Sequence, residues 1–73
     1  MDFYIPEEGM AIQASYSLND EETRKREVGA LMALHKTYPL KKALVVTYDE
    51  EEIIEVGGLT VEVVPIWKWL LSQ

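Results

Sequence analysis

The chain has no cysteine among its 73 residues, which rules out disulfide staples and any cysteine-ligated zinc site. A thiol-free domain fits a reducing cytoplasm, the location expected for it. Histidine occurs once, as His35, with no second imidazole to share a metal. It falls beside an apolar stripe and reads as a core-edge ring rather than a catalytic base. Glycine is scarce, and no glycine-rich phosphate-binding loop is present. Ser15, Ser17 and Ser72 lack the glycine-flanked elbow of a serine nucleophile. Long apolar runs are missing as well. The longest, near the C-terminus, is broken by Pro65 and Lys68, so no membrane span is expected. Met1-Asp2 opens without the basic run and apolar core of a secretory signal.

Positive charge is also in short supply. Seven Lys and Arg stand against thirteen Asp and Glu, a net charge of −6. Such a chain repels phosphate backbones, which disfavours broad nucleic-acid binding. Its cations cluster as Arg24-Lys25-Arg26 and Lys41-Lys42, read as a solvated helix face and a solvated loop. The acidic run Asp49-Glu50-Glu51-Glu52 lacks the alternating oxygens and central glycine of an EF-hand loop, so calcium is not expected there.

What is present is a pattern of short strands. Asp2–Ile5 and 10–17 flank the turn-like Pro6-Glu7-Glu8-Gly9. An antiparallel hairpin with Ile5 facing Met10 sets Phe3 against Ile12, Tyr4 against Ala11 and Asp2 against Gln13. Alternation then divides the hairpin. One face reads Phe3, Ile5, Met10, Ile12, Ala14 and Tyr16. The other reads Asp2, Tyr4, Ala11, Gln13, Ser15 and Ser17. An acid, an amide and a hydroxyl share that second face. Two readings stand for it: a solvent-facing sheet side, polar for ordinary reasons, or the remnant of a metal-dependent nuclease site, which needs hard oxygen ligands and a nearby cation.

A helix is expected next. Asn19 is a suitable N-cap with Glu22 three residues on, as in a capping box. Val28, Leu31, Met32 and His35 repeat at helical spacing, widened by Leu34 and Tyr38, with 24–27 on the wet side. Gly29 within the helix suggests a close approach to the sheet. Pro39 ends the helix, which therefore runs to Lys36 or Thr37. The β-branched run 43–48 reads as a strand buried on both faces, and a strand–helix–strand unit implies a parallel pair joined right-handedly. Gly57-Gly58 signals a two-residue hairpin with Val56 facing Leu59 and Ile54 facing Val61. Pro65 is placed as the first residue of a closing helix. In that helix Ile66, Trp67, Leu70 and Leu71 share a broad side. Trp69, near its edge, reads equally as packing and as an anchor for a partner.

The expected architecture is α/β, in the order β-β-α-β-β-β-α. It is a mixed sheet of about five strands with one long helix on one face and a short C-terminal helix, in a single domain over residues 1–73. Its expected core includes Phe3, Ile12, Ala14, Val28, Leu31, Leu44, Val46, Val61 and Trp67.

Several segments together resemble a known family. They are Asp2-Phe3-Tyr4-Ile5, the run 11–18, the run 20–27, Val46-Thr47-Tyr48-Asp49 and the run 64–71. These look like the C-terminal domain, of unknown function, of prokaryotic AAA-type ATPases, which is similar to the restriction-endonuclease-like fold. The resemblance implies that the chain is the C-terminal part of a larger ATPase, and that ATP belongs to the module preceding it. The nuclease motif is an aspartate on one strand and acid-x-lysine on the next. Asp2 matches the aspartate, and would be the metal ligand if Mg²⁺ bound. Gln13 stands at the acidic position and Ser15 at the lysine position, so the candidate site Asp2, Gln13 and Ser15 is degenerate. Lys41 or Lys42 is the candidate for a migrated ammonium.

The implied function is a non-catalytic accessory or regulatory domain, with the ATPase module or another protein as its partner. A weak metal-dependent nuclease is the first alternative. The second is a protein-interaction module whose open strand edge would also permit a homodimer.

Overall fold

Gly9 reverses the chain at the first turn. In the computed structural model, which describes residues 2–72, it has φ 59°, a left-handed conformation that costs glycine little. Its N–H donates to the Pro6 carbonyl, closing a 3₁₀ turn over Pro6–Glu8. This turn joins β1 (Asp2–Ile5) to β2 (Met10–Ala14) in the expected register, Ile5 with Met10 through to Asp2 with Gln13. The Gly9 carbonyl accepts from the backbone N–H of Lys41 and Lys42, which ties the turn to the start of the third strand.

Helix α1 (Glu21–Thr37) follows, then β3 (Lys42–Thr47), β4 (Glu52–Val56), β5 (Leu59–Pro65) and α2 (Ile66–Leu71). The described residues thus form a five-stranded mixed sheet in the order β1-β2-β3-β5-β4. β3 runs parallel to both β2 and β5, while β1 and β4 pair antiparallel at the two edges. The second hairpin turns at Gly57 (φ 53°) and Gly58 (φ 77°), with Val56 opposite Leu59 and Ile54 opposite Val61, as the glycine pair indicated. No helix among the described residues is long and apolar enough to cross a membrane.

The core lies between α1 and one sheet face. Leu18, Leu31 and Leu40 meet Ala11, Ala43, Val45, Leu59, Val61 and Val63, with Tyr4, Met32, Leu34 and Ile54 packed around them. This is not the face expected from the first hairpin. Phe3 is 49% exposed and Ala14 is exposed, while Ile12 and Val28 are half-buried. Leu31, Leu44, Val46 and Val61 are buried as expected. Handedness explains the inversion. The side taken by a helix joining parallel strands is set by the hand of the connection, whatever the hydropathy of the preceding hairpin. Small residues assist: Ala11 and Ala43 sit side by side in the register and let the helix approach closely.

Three further expectations are corrected. The N-cap of α1 is Asp20, whose carboxylate accepts from the Thr23 N–H and hydroxyl, each at 3.0 Å. Asn19 lies before it, its own N–H bonded to the Ser17 hydroxyl. The Thr23 N–H, foremost, holds the Asp20 carboxyl below its usual range, as suits an anion at a helix N-terminus. Gly29 does not approach the sheet: it is exposed, and a Cβ there would meet nothing within 4 Å. Pro65 ends β5 and caps α2, which begins one residue later at Ile66. Trp67, expected in the core, is 56% exposed, and Trp69 is the half-buried ring, lining one cavity with Leu44 and Val64.

Candidate functional site

Strand pairing sets Asp2 directly opposite Gln13, and the parallel β2–β3 register sets Gln13 beside Val45. The Asp2 side chain, and with it the metal-ligand role expected of Asp2, lies outside the described structure. Gln13 is described fully and is buried beneath α1 rather than on a wet sheet surface. Its Nε2 donates to the Glu27 backbone carbonyl at 3.1 Å and to Glu27 Oε1 at 2.6 Å. Both amide hydrogens are thereby spent on the helix. The carbonyl oxygen remains as the neutral acceptor this residue offers.

Glu27 is the functional-site residue that hydropathy placed wrongly. Its side chain is only 17% exposed, and Arg26 Nε lies 3.7 Å from its second oxygen. Spacing carried a usable signal, because Glu27 precedes buried Leu31 by one helical turn and so shares its face. The structure therefore joins Gln13 to a carboxylate from the helix.

Ser15 does not join that pair by any hydrogen bond. Its hydroxyl donates to the Ser17 carbonyl at 3.1 Å, and its N–H extends the parallel ladder to Val46 O at 2.9 Å. Lys42 projects from the opposite sheet face, among Met10, Ile12, Leu44 and Trp69. Lys41 packs against the Gly9 turn. His35 is half-buried, and its Nδ1 accepts from the Leu40 N–H at 2.9 Å, fastening the chain just past the helix C-terminus. Among the described residues, no group of three or more His, Asp or Glu side chains is arranged to hold a metal ion. Mg²⁺ at the Gln13–Glu27 pair would draw one carboxylate and one neutral oxygen from the described side chains, a sparse set for an ion that wants six oxygens.

The acidic loop works as a clamp. Glu50 accepts the Ser17 hydroxyl and, at 2.8 Å, the Leu18 N–H. These bonds, the Ser17 hydroxyl first, hold the Glu50 carboxyl below its usual range. Glu52 pairs with Arg24 of α1, and Glu51 pairs with Lys68 of α2. The hydrogen bond to the Glu52 carboxylate, foremost, holds the Arg24 guanidinium's pKa up. Three successive carboxylates thus tie three different parts of the fold to the β3–β4 connection and the first residue of β4.

The same sheet end carries an open cavity of about 310 Å³, lined by Ala14, Ser15, Tyr16, Val46, Thr47, Tyr48 and Ile66. The rings of Tyr16 and Tyr48, two of these lining residues, stack with centroids 5.3 Å apart and planes 19° from parallel. Comparison of the chain with protein-family models, with curated proteins and with solved structures returned no match.

Proposed function

We propose that this chain is a non-catalytic accessory domain built on a degenerate restriction-endonuclease-like framework, acting by protein contact beside an AAA-type ATPase. The observation that carries the reading is the engagement of Gln13. Where a nuclease would hold a second acidic ligand, this chain has an amide whose hydrogens are committed to Glu27. Ser15, at the position of the motif lysine, brings no cation and spends its hydroxyl on Ser17. The ATPase association rests on the resemblance of the five sequence segments, and ATP would belong to that module.

The test is cleavage. The chain is incubated with Mg²⁺ or Mn²⁺ and either supercoiled plasmid or single-stranded DNA. No nicking above buffer is expected. Metal-dependent cutting that vanishes in Asp2→Ala would overturn the assignment and establish the second reading, a weak metal-dependent nuclease. One observation favours that second reading: Glu27 supplies a carboxylate next to Gln13, on the strand position paired with Asp2.

A further inference from the structure

We propose that the sheet face opposite α1, together with the exposed side of α2, is the contact surface of a two-fold symmetric homodimer. The inference goes beyond the accessory-domain reading and stands without it. It uses the face of the sheet, not the open strand edges.

Exposed apolar side chains are concentrated on this side of the molecule. Apart from three tyrosines, the large apolar side chains exposed among the described residues are Phe3, Ile53, Ile66, Trp67, Leu70 and Leu71. All six belong to the reverse face or to α2. Strand register sets Phe3, Ile12, Leu44, Glu62 and Ile53 in one row across the sheet, a single acid among four apolar side chains. Each of the six exposed side chains leaves roughly 100 Å² open, and the half-buried Ile5, Met10 and Ile12 between them bring the patch toward the roughly 800 Å² per partner of a standard-size interface. The largest apolar patch of an ordinary monomer is about 300–600 Å².

The surface is self-complementary in shape. Trp69 and Ser72 line a cavity of about 420 Å³ with Ile5, Met10 and Ile12, and another of about 230 Å³ with Glu62 and Val64. α2 therefore stands as a ridge between two hollows, and its Leu70 and Leu71 are exposed. Under a two-fold axis each copy sets its apolar ridge into the larger hollow of the other.

Charge selects a second copy as the occupant. Lys42 and Glu62 line the smaller cavity together, and neither forms an ion pair among the described residues. A two-fold axis lying in the plane of contact and passing between them sets each Lys42 against the other copy's Glu62, so that one association makes two opposite-charge pairs. Glu8 in the first turn and Glu55 on the outer strand β4 stay at the margin, where water and salt screen them. A lipid surface would instead leave Glu62 unpaired in an apolar layer. The modest area and the net charge of −6 make the dimer weak, with a dissociation constant on the order of 100 μM.

The experiment is sedimentation equilibrium of the chain from about 10 μM to about 1 mM, where a monomer–dimer exchange with that constant is expected. Leu70→Glu places a charge on the ridge and should weaken association about tenfold or more. Leu71→Glu, at the more exposed neighbour, repeats that test should the first variant unfold. Lys42→Glu and Glu62→Lys should each weaken association roughly five- to tenfold. An equimolar mixture of these two should recover the parent affinity as a heterodimer, because each copy then carries the charge its partner lacks. Amide dispersion like that of the parent confirms that each variant is folded. Four outcomes would overturn the proposal. The first is a monomer throughout the range. The second is a dimer indifferent to both leucine changes, which would move the contact to a strand edge. The third is a mixture of the two folded charge variants that associates no better than either alone. The fourth is a chain that stays monomeric but adsorbs to phosphatidylcholine vesicles, which would make the patch a lipid contact.

Discussion

Beneath α1 the sheet presents Ala11, Ala43, Val45, Val61 and Val63, each at most 2% exposed. The reverse face carries Phe3, Ile5, Met10, Ile12, Ala14 and Ile53, and the described helix over it is α2, six residues long. The more apolar side of the first hairpin is therefore the less covered one. Parallel strands are ordinarily shielded on both faces. Here β3 achieves that for all residues from Ala43 to Thr47, while the outer strands do not. Burial follows position in the sheet more closely than it follows residue type.

The largest test of this contrast is a pair of truncations. Leu31→Ala should destabilise the chain by about 3 kcal/mol, because it empties a site closed on all sides. Phe3→Ala on the reverse face should cost about 1 kcal/mol or less, although the side chain is larger. Urea unfolding of both variants reads the difference directly, and equal losses would break the comparison.

A second experiment addresses the polar intrusion into the covered face. Gln13→Leu keeps most of the volume but leaves the Glu27 carboxylate without its amide donor. A loss of about 1–3 kcal/mol is expected. Adding Glu27→Leu should recover much of it, since an apolar pair can replace a buried polar pair at little cost. If the two losses simply add, the hydrogen bond is energetically idle.

A third change acts on the helix surface alone. Gly29→Ala should stabilise by about 1 kcal/mol, from helix propensity with no new contact. A loss of stability would mean that the residue packs more closely than its exposure indicates.

The smallest effect concerns pH. Glu50 has its carboxyl held below the ordinary 4.5, first by the Ser17 hydroxyl and then by the Leu18 N–H. The folded state thus releases this proton more readily than the unfolded chain. Its contribution is complete above the unfolded value and disappears as pH falls through the lower, folded value. Ser17→Ala should consequently destabilise at pH 7 and much less at pH 3, measured by the urea midpoint. A pH-independent difference would show that the Ser17 hydroxyl acts through packing rather than through the carboxylate.

Both hairpin registers were readable from the sequence, because each rests on local chemistry. Pro6 and Gly9 shape one turn and Gly57-Gly58 the other, and the pairing follows by counting outward. The end of α1 before Pro39 and the doubly buried β3 were equally legible. Asn19 was a poorer guide, since Asp20 offers the same cap with a charge suited to the helix dipole. The packed side of α2 was misjudged: Trp69 is half-buried and Trp67 56% exposed, and spacing alone does not say which side of a six-residue helix meets the sheet.

The amino-acid order by itself determined the elements, their sequence along the chain and which residues stand opposite one another in each hairpin. Those are short-range consequences of turn geometry, proline and alternation. Only the tertiary structure decided which side of the first hairpin became the interior, that Glu27 meets Gln13, and that Tyr16 and Tyr48 stack beside an acidic clamp. These depend on where a crossover helix lands and on contacts between residues far apart in the chain. No local pattern encodes such contacts, because their energies exist only once the sheet has closed.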